Sequence, residues 1–124
     1  MTERLEIVAR PLSIYVAGPL SNNETWSHTT QWQNMLNAIE AGAELKEKGH
    51  YPFVPHYSYM MTNMGHHFTY GDWLEEDFVW IEKCEALYRM EGDSAGADLE
   101  LKHARNLGKI IFLGMEEVPD LRNR

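Results

Sequence analysis

The sequence predicts an α/β domain in which a doubly wound parallel sheet of four to five strands carries helices on both faces. Three observations point there. Short β-branched and aromatic runs alternate along the chain with amphipathic helical segments. Turn-forming Gly, Pro and Asp follow the runs. Each connection is long enough to hold the crossover helix that parallel neighbours require.

Ser13-Ile14-Tyr15-Val16-Ala17 is the first such run, stopped by Gly18-Pro19 as a buried strand ends in a turn. From about Ser27 to Lys48, Met35, Ala38, Ile39, Gly42 and Leu45 recur at helical spacing, and Gly49 stands where a C-terminal cap belongs. Tyr51-Pro52-Phe53-Val54 is a second strand, placed at an edge because Pro52 cannot donate to a ladder. A loop is expected from Pro55 to Gly71, long enough to cover a site or an interface. Asp72-Trp73-Leu74-Glu75 has the form of a helix start, and Leu74, Phe78 and Ile81 continue as one apolar stripe to about Lys83. Glu85 to Met90 forms a third strand, broken by Glu91-Gly92-Asp93. Ser94 then caps a helix that ends before Gly108, and Lys109 to Leu113 closes the set.

Composition narrows the function classes. The 124 residues, 44% hydrophobic and 24% charged, fit one domain with its own core and leave no room for separate cofactor and substrate domains. Nineteen Asp and Glu against eleven Lys and Arg give a net charge of −8, which opposes attraction to a phosphate backbone, so no long nucleic acid is expected as partner. The lone Cys84 permits no internal disulfide and suits a reducing, cytoplasmic setting. Residues 1–18 carry charges at Glu3, Arg4, Glu6 and Arg10, unlike a signal peptide, and no apolar run is long enough for a membrane span.

Strands and helices in this alternation imply a flavodoxin/Rossmann-like order, whose ligands bind beyond the strand carboxyl ends where the order reverses, between strands one and three. Gly18, Pro19, Leu20 and Ser21 follow the first strand, and Gly92, Asp93, Ser94, Ala95 and Gly96 follow the third. Both turns let backbone amides approach a ligand. Ser94 at a helix start offers a seat for phosphate or carboxylate. Neither a Walker pattern nor GxGxxG is present, which disfavours nucleoside-triphosphate and standard dinucleotide enzymes. Glu100, six residues after Ser94, falls near the same strand ends, although a helical Glu is as readily a solvated one. Asp77 lies beside the buried stripe, where an acid needs a partner or a function. Two carboxylates meeting in one cleft suit glycosidic chemistry.

Four segments carry a resemblance: Ile14-Tyr15-Val16-Ala17-Gly18-Pro19, Gly49 to His56, Asp77 to Leu87, and Ser94-Ala95-Gly96-Ala97-Asp98-Leu99-Glu100. Together, over about residues 13 to 113, they resemble the nucleoside 2-deoxyribosyltransferase superfamily, which implies a single domain over 1–124. The resemblance implies cleavage of the N-glycosidic bond of a 2′-deoxynucleoside or nucleoside 5′-monophosphate, with transfer to another base or to water. It casts Glu100 as the nucleophile at C1′, Asp77 as the group that contacts or assists the departing base, and Tyr15 as the residue that lines the sugar pocket and orients the nucleophile. Gly18, Pro19, Asp93, Ser94 and Gly96 become substrate-binding candidates. No metal or organic cofactor is implied.

Ser94 resembles the phosphate-binding serine of the hydrolases, while Asp93 beside it offers a transferase-like acid, so both branches stay open. Leu20-Ser21-Asn22-Asn23 lacks the basic residue that some hydrolases use there. Members often complete a neighbour's pocket from the C-terminus, which makes Arg122 and Asn123 candidates and implies a homodimer or higher homo-oligomer.

Two other readings compete. His56, His66, His67 and His103, with Glu100-x-x-His103 on one helical face, imitate a metal site, though only one such helical pair exists. A nucleotide-binding sensor without turnover is the non-enzymatic alternative. The Tyr- and Met-rich stretch from Tyr57 to Met64 suits a subunit contact more than a lid. Trp26, Trp32, Trp73 and Trp80 are expected as core or interface anchors, with Trp80 able to reach the pocket one turn after Asp77.

Overall fold

The computed structural model describes residues 10–20 and 28–123. Strand β1 (Ser13–Ala17) leads through the residues after it to helix α1 (His28–Glu47) and strand β2 (Tyr51–Phe53). A 3-10 turn (Pro55–Ser58) runs into a short helix α2 (Tyr59–Asn63). Helix α3 (Tyr70–Lys83), strand β3 (Ala86–Arg89), helix α4 (Ala95–Asn106) and strand β4 (Ile110–Phe112) complete the alternation. The four strands are parallel in the order β2-β1-β3-β4, so β2, with Pro52, does lie at an edge. The order reverses between β1 and β3, whose register pairs Ile14 with Ala86 and Ala17 with Arg89.

Side chains alternate across the sheet and build two separate cores. One face buries Ile14, Val16, Ala86 and Phe112 beneath Ala38 and Leu45 of α1. The other buries Tyr15, Ala17 and Leu87 beneath Ile81 of α3 and Ala97 and Ala104 of α4. In α1 the buried residues are Gln31, Met35, Ala38, Gly42 and Leu45, one stripe at helical spacing. Gly42 is where the helix comes closest to its neighbour: a Cβ there would stand 2.7 Å from Val54 Cγ2. His50 ties the C-terminal segment to the sheet, since its Nδ1 accepts from Leu12 N at 3.1 Å and its Nε2–H donates to Pro119 O at 2.7 Å.

Two expectations need correction. The segment 55–71 is a loop only from Met64 to Thr69, because Pro55–Ser58 form the 3-10 turn, Tyr59–Asn63 form α2 and Tyr70 opens α3. Helix α3 also starts earlier than Asp72. Its N-cap is Thr69, whose hydroxyl accepts from Asp72 N while the Asp72 carboxylate accepts from Thr69 N, both at 3.0 Å. Asp72 is thus the third residue of a reciprocal capping box, not the cap. Among the described residues, no helix is long and apolar enough to cross a membrane.

Candidate active site

The elements bring three sequence-predicted side chains together at the carboxyl end of the sheet. Tyr15 comes from the middle of β1, Asp77 from α3 and Glu100 from α4. Tyr15 is fully buried and its hydroxyl donates to Glu100 Oε2 at 2.9 Å. Asp77 lies close enough to both for its carboxylate to act on them electrostatically. Behind Tyr15, Phe53 stacks at 5.9 Å between ring centroids and Trp80 stacks on Phe53 at 4.8 Å, which holds the phenol in place.

Glu100 is only 6% exposed. Burial, followed by the hydrogen bond and charge of Asp77, pushes its carboxyl well above the ordinary range, while the Tyr15 hydroxyl and the Arg89 charge act the other way. Burial also raises Asp77, but hydrogen bonds from Glu100 and Tyr15 pull it back. Burial thus favours the neutral form of Glu100 more strongly than that of Asp77. Burial, then the Glu100 charge, lifts Tyr15 far above its usual value, so it remains a neutral donor.

Helix α4 is aimed at the cleft by its own start. Ser94 is the N-cap, its hydroxyl accepting from Ala97 N at 3.1 Å. The turn before it needs Gly92, at φ +115° with Pro19 Cγ 2.9 Å from where a Cβ would stand. Arg89 straps this turn, donating to the Met90 carbonyl and, at 3.0 Å each, to Gly92 O and Asp98 Oδ1.

A cavity of about 590 Å³ opens over the pair. Of the predicted binding residues, Gly18, Asp93, Ser94 and Gly96 line it with Asp77 and Glu100. Pro19 does not, since it packs against Gly92, and neither does Tyr15, which is fully buried behind the cavity between Glu100 and Phe53. Trp80 also stays outside, occupied with Phe53, whereas Trp73 lines the wall edge-on to Phe68 at 5.2 Å. Ser21, Asn22, Asn23 and Trp26, and the Asn123 side chain, lie outside the described residues. Arg122 is paired with Asp120 at 2.8 Å.

Several lining residues were not singled out from sequence as pocket walls: Gln31, Thr62, Tyr70 and Leu74. Tyr59, from the Met-rich stretch, also lines the cavity, with its hydroxyl 2.6 Å from His28 Nδ1. Met60, Met61 and Met64 on the same stretch are exposed. A helical spacing within 55–63, obscured by Pro55 and the Tyr-Met run, is the signal that separates these two sides. His56, weighed only as a metal ligand, is buried in the wall. Its Nε2–H donates to Gly18 O at 3.1 Å, and burial lowers its pKa. The Glu100–His103 pairing of the competing metal-site reading does not form: Glu100 faces Tyr15, while His103 stacks on Phe78 at 4.2 Å and sits 3.4 Å from Glu82. Among the described residues no group of three His, Cys, Asp or Glu is placed to hold a metal ion.

Comparisons with known proteins agree on the fold. A family model described as a domain of unknown function (DUF4406) matches residues 12–113. No curated protein matches the chain. Among solved structures, a 2-desoxiribosyltransferase from Leishmania mexicana is 20% identical with a TM-score of 0.54, over 82% of this chain and 62% of that one. The chain thus spans less than two thirds of that enzyme's length. A 2-deoxyribosyltransferase from the psychrotolerant bacterium Bacillus psychrosaccharolyticus is 23% identical with a TM-score of 0.53, over 80% of this chain and 69% of that one. The four-stranded parallel sheet with its flanking helices is the 2-deoxyribosyltransferase fold that the sequence motifs resemble.

Proposed function

The chain belongs to the family described as a domain of unknown function (DUF4406), so its activity has to be argued from the site, and we propose that it cleaves N-glycosidic bonds of nucleosides or nucleotides through Glu100. One observation carries the reading. A buried Glu100, oriented by Tyr15 and with its carboxyl pushed up by burial and by Asp77, faces a cavity with aromatic walls at the switch point of the sheet. The two fold neighbours are deoxyribosyltransferases by name, which supports the same class of bond.

The paired acids suit the two demands of such a reaction. A base leaves readily only when it takes up a proton, and the sugar left behind resembles an oxocarbenium ion that a carboxylate stabilises. In the proposed sequence a proton on Glu100 passes through Asp77 to the departing base. That transfer frees the Glu100 carboxylate as the C1′–N bond breaks, and a Glu100 oxygen bonds to C1′. Tyr15 stays neutral and donates to the second Glu100 oxygen, which keeps the attacking one directed. Water or a second base then attacks C1′, the ester breaks, and a proton from the attacking group restores the pair.

The test is a panel of nucleosides and 5′-monophosphates, with and without a second free base, read by chromatography for released base and new nucleosides. Glu100→Gln is expected to lose on the order of 1,000-fold or more in turnover while remaining folded. Full turnover by that variant would sink the reading.

A further inference from the structure

We infer that Gln31 reads the edge of the base: its carboxamide takes a heterocycle that carries a hydrogen-bond donor beside an acceptor, and discriminates against one that lacks the donor. The inference rests on the reading just given and concerns the base, which that reading leaves open.

Among the described residues, four polar side chains that line the cavity are less than a tenth exposed: Gln31, His56, Tyr59 and Glu100. Three of these are engaged, since Glu100 accepts from Tyr15, His56 donates to Gly18 O and the Tyr59 hydroxyl is bonded to His28. The second ring nitrogen of His56 is unbonded but sealed from solvent, so the wall as it stands keeps a ligand away from it. Gln31 is different. It is 7% exposed, its carboxamide makes no hydrogen bond among the described residues, and neither carboxamide atom is sealed off as His56 Nδ1 is. The space it reaches is the cavity that it lines. Its neighbours on α1 are spent within the protein: Asn34 donates to Leu20 O and Gln33 to Asn37 Oδ1, both at 2.9 Å.

Gln31 also stands out in its own helix. It begins the buried stripe that continues through Met35, Ala38, Gly42 and Leu45, none of which has a polar side chain. An apolar residue would extend the core there, whereas a buried carboxamide is costly unless something bonds to it. The cavity supplies that partner, as water in the free protein and as a ligand group in the complex. Helix α1 packs on one face of the sheet and α3 and α4 on the other, so Gln31 approaches the cavity from the side opposite Asp77 and Glu100. With the sugar at Glu100, the base lays its face on Phe68, Trp73 and Leu74 and turns its edge to Gln31. A carboxamide holds an acceptor and donors in one plane. By turning over, it complements the amidine edge of adenine or cytosine and the amide edge of thymine. A base without the edge donor displaces the water and leaves the Gln31 oxygen unpaired, which is where the discrimination arises.

The test uses pairs of probes that differ in the edge donor without added bulk. 2′-Deoxyadenosine and 2′-deoxycytidine are each compared with the analogue whose amino group is replaced by hydrogen, and thymidine with its 3-deaza analogue, in which C–H replaces N3–H. Binding is measured by calorimetry in the Glu100→Gln background, so that nothing is consumed, and turnover is measured with Glu100 in place. Each parent nucleoside that binds is expected to be favoured over its analogue by about tenfold or more. Gln31→Met, similar in shape but without the polar atoms, should narrow that ratio to about threefold or less. This variant should also melt no lower than the protein with Gln31, because it gives up no internal hydrogen bond. Absence of the preference, a ratio unchanged in Gln31→Met, or a clear drop in its melting temperature would overturn the inference, while Glu100-dependent cleavage left the functional reading standing. A Gln31-dependent preference without cleavage would sustain the inference and remove the reading. Binding of none of the probes would remove both.

Discussion

The two faces of the sheet are built from alternate residues of the same strands and have opposite character. Beneath α1 the core is Leu12, Ile14, Val16, Ala38, Leu45, Val54, Ala86, Phe112 and Val118, with Tyr88 packed against it and His50 bonded to Leu12 N at its margin, and with no carboxyl group in the cluster. Beneath α3 and α4 the buried set includes Tyr15 and Cys84, and Glu100 and Asp77 adjoin it. A one-residue step along β1, from Ile14 to Tyr15, crosses from one regime to the other. The contrast shows a division of labour. The face beneath α1 supplies cohesion, and the face with α3 and α4 carries polar groups whose burial works against stability and, in the proposed reaction, readies them for proton transfer.

The comparison can be tested from both sides. The largest effect should be on activity: Glu100→Gln abolishes turnover, whereas Phe112→Ala on the opposite face leaves kcat within about twofold if the face is purely structural. Denaturant unfolding should show the converse. Phe112→Ala is expected to lose about 3–5 kcal/mol as a buried ring is deleted from a packed core. If kcat collapses in Phe112→Ala at temperatures where it remains folded, the division fails.

Tyr15→Phe comes next, with an expected loss of about 10- to 100-fold in turnover from removal of one orienting hydrogen bond. The Tyr15 hydroxyl lowers the Glu100 pKa, so its removal raises that pKa further. The transition of the pH–rate profile that reports Glu100 should therefore move to higher pH, whereas a purely structural role for the hydroxyl would leave it in place.

A smaller effect concerns stability. The folded-state pKa of Glu100 is raised above its unfolded value, so the folded state holds this proton more tightly. Stability is then lost as pH rises from the unfolded pKa toward the folded one. Glu100→Gln carries no such penalty and should melt higher than wild type by about 1 kcal/mol, or a few degrees, at pH 7 to 8. That gain should shrink as pH falls toward 4.5 in paired thermal melts. A constant difference across the range would show that the burial of Glu100 is not what limits stability. The smallest change belongs to the exposed Arg10–Glu85 pair, where Arg10→Ala is expected to alter stability by about 0.5 kcal/mol or less.

Much of this was legible in the chain. The alternation of runs and turns located all four strands, and Pro52 placed β2 at the edge, because ladder donors and hydrophobic period are local properties. Ser94 was readable as a cap, since capping also depends on one residue and its successors. Thr69 was not, because Tyr70 and Gly71 interrupt the apolar period and make Asp72 look like the first residue of α3. The meeting of Asp77 and Glu100 could be suggested from their places near the strand ends, but the part of Tyr15 is a tertiary fact to which only the family resemblance pointed. Pro19 and Trp80 were misplaced for the same reason: their positions allowed the pocket, but Gly92 and Phe53 offered closer packing.

The central claim is that a Glu100 oxygen takes the sugar at C1′. Rapid quenching of the protein during turnover of a cleaved deoxynucleoside, followed by digestion and peptide mass measurement, tests it most directly. The account predicts an added deoxyribosyl mass on the peptide that contains Glu100, absent from Glu100→Gln. An adduct on another residue, or undiminished cleavage by Glu100→Gln, would contradict it.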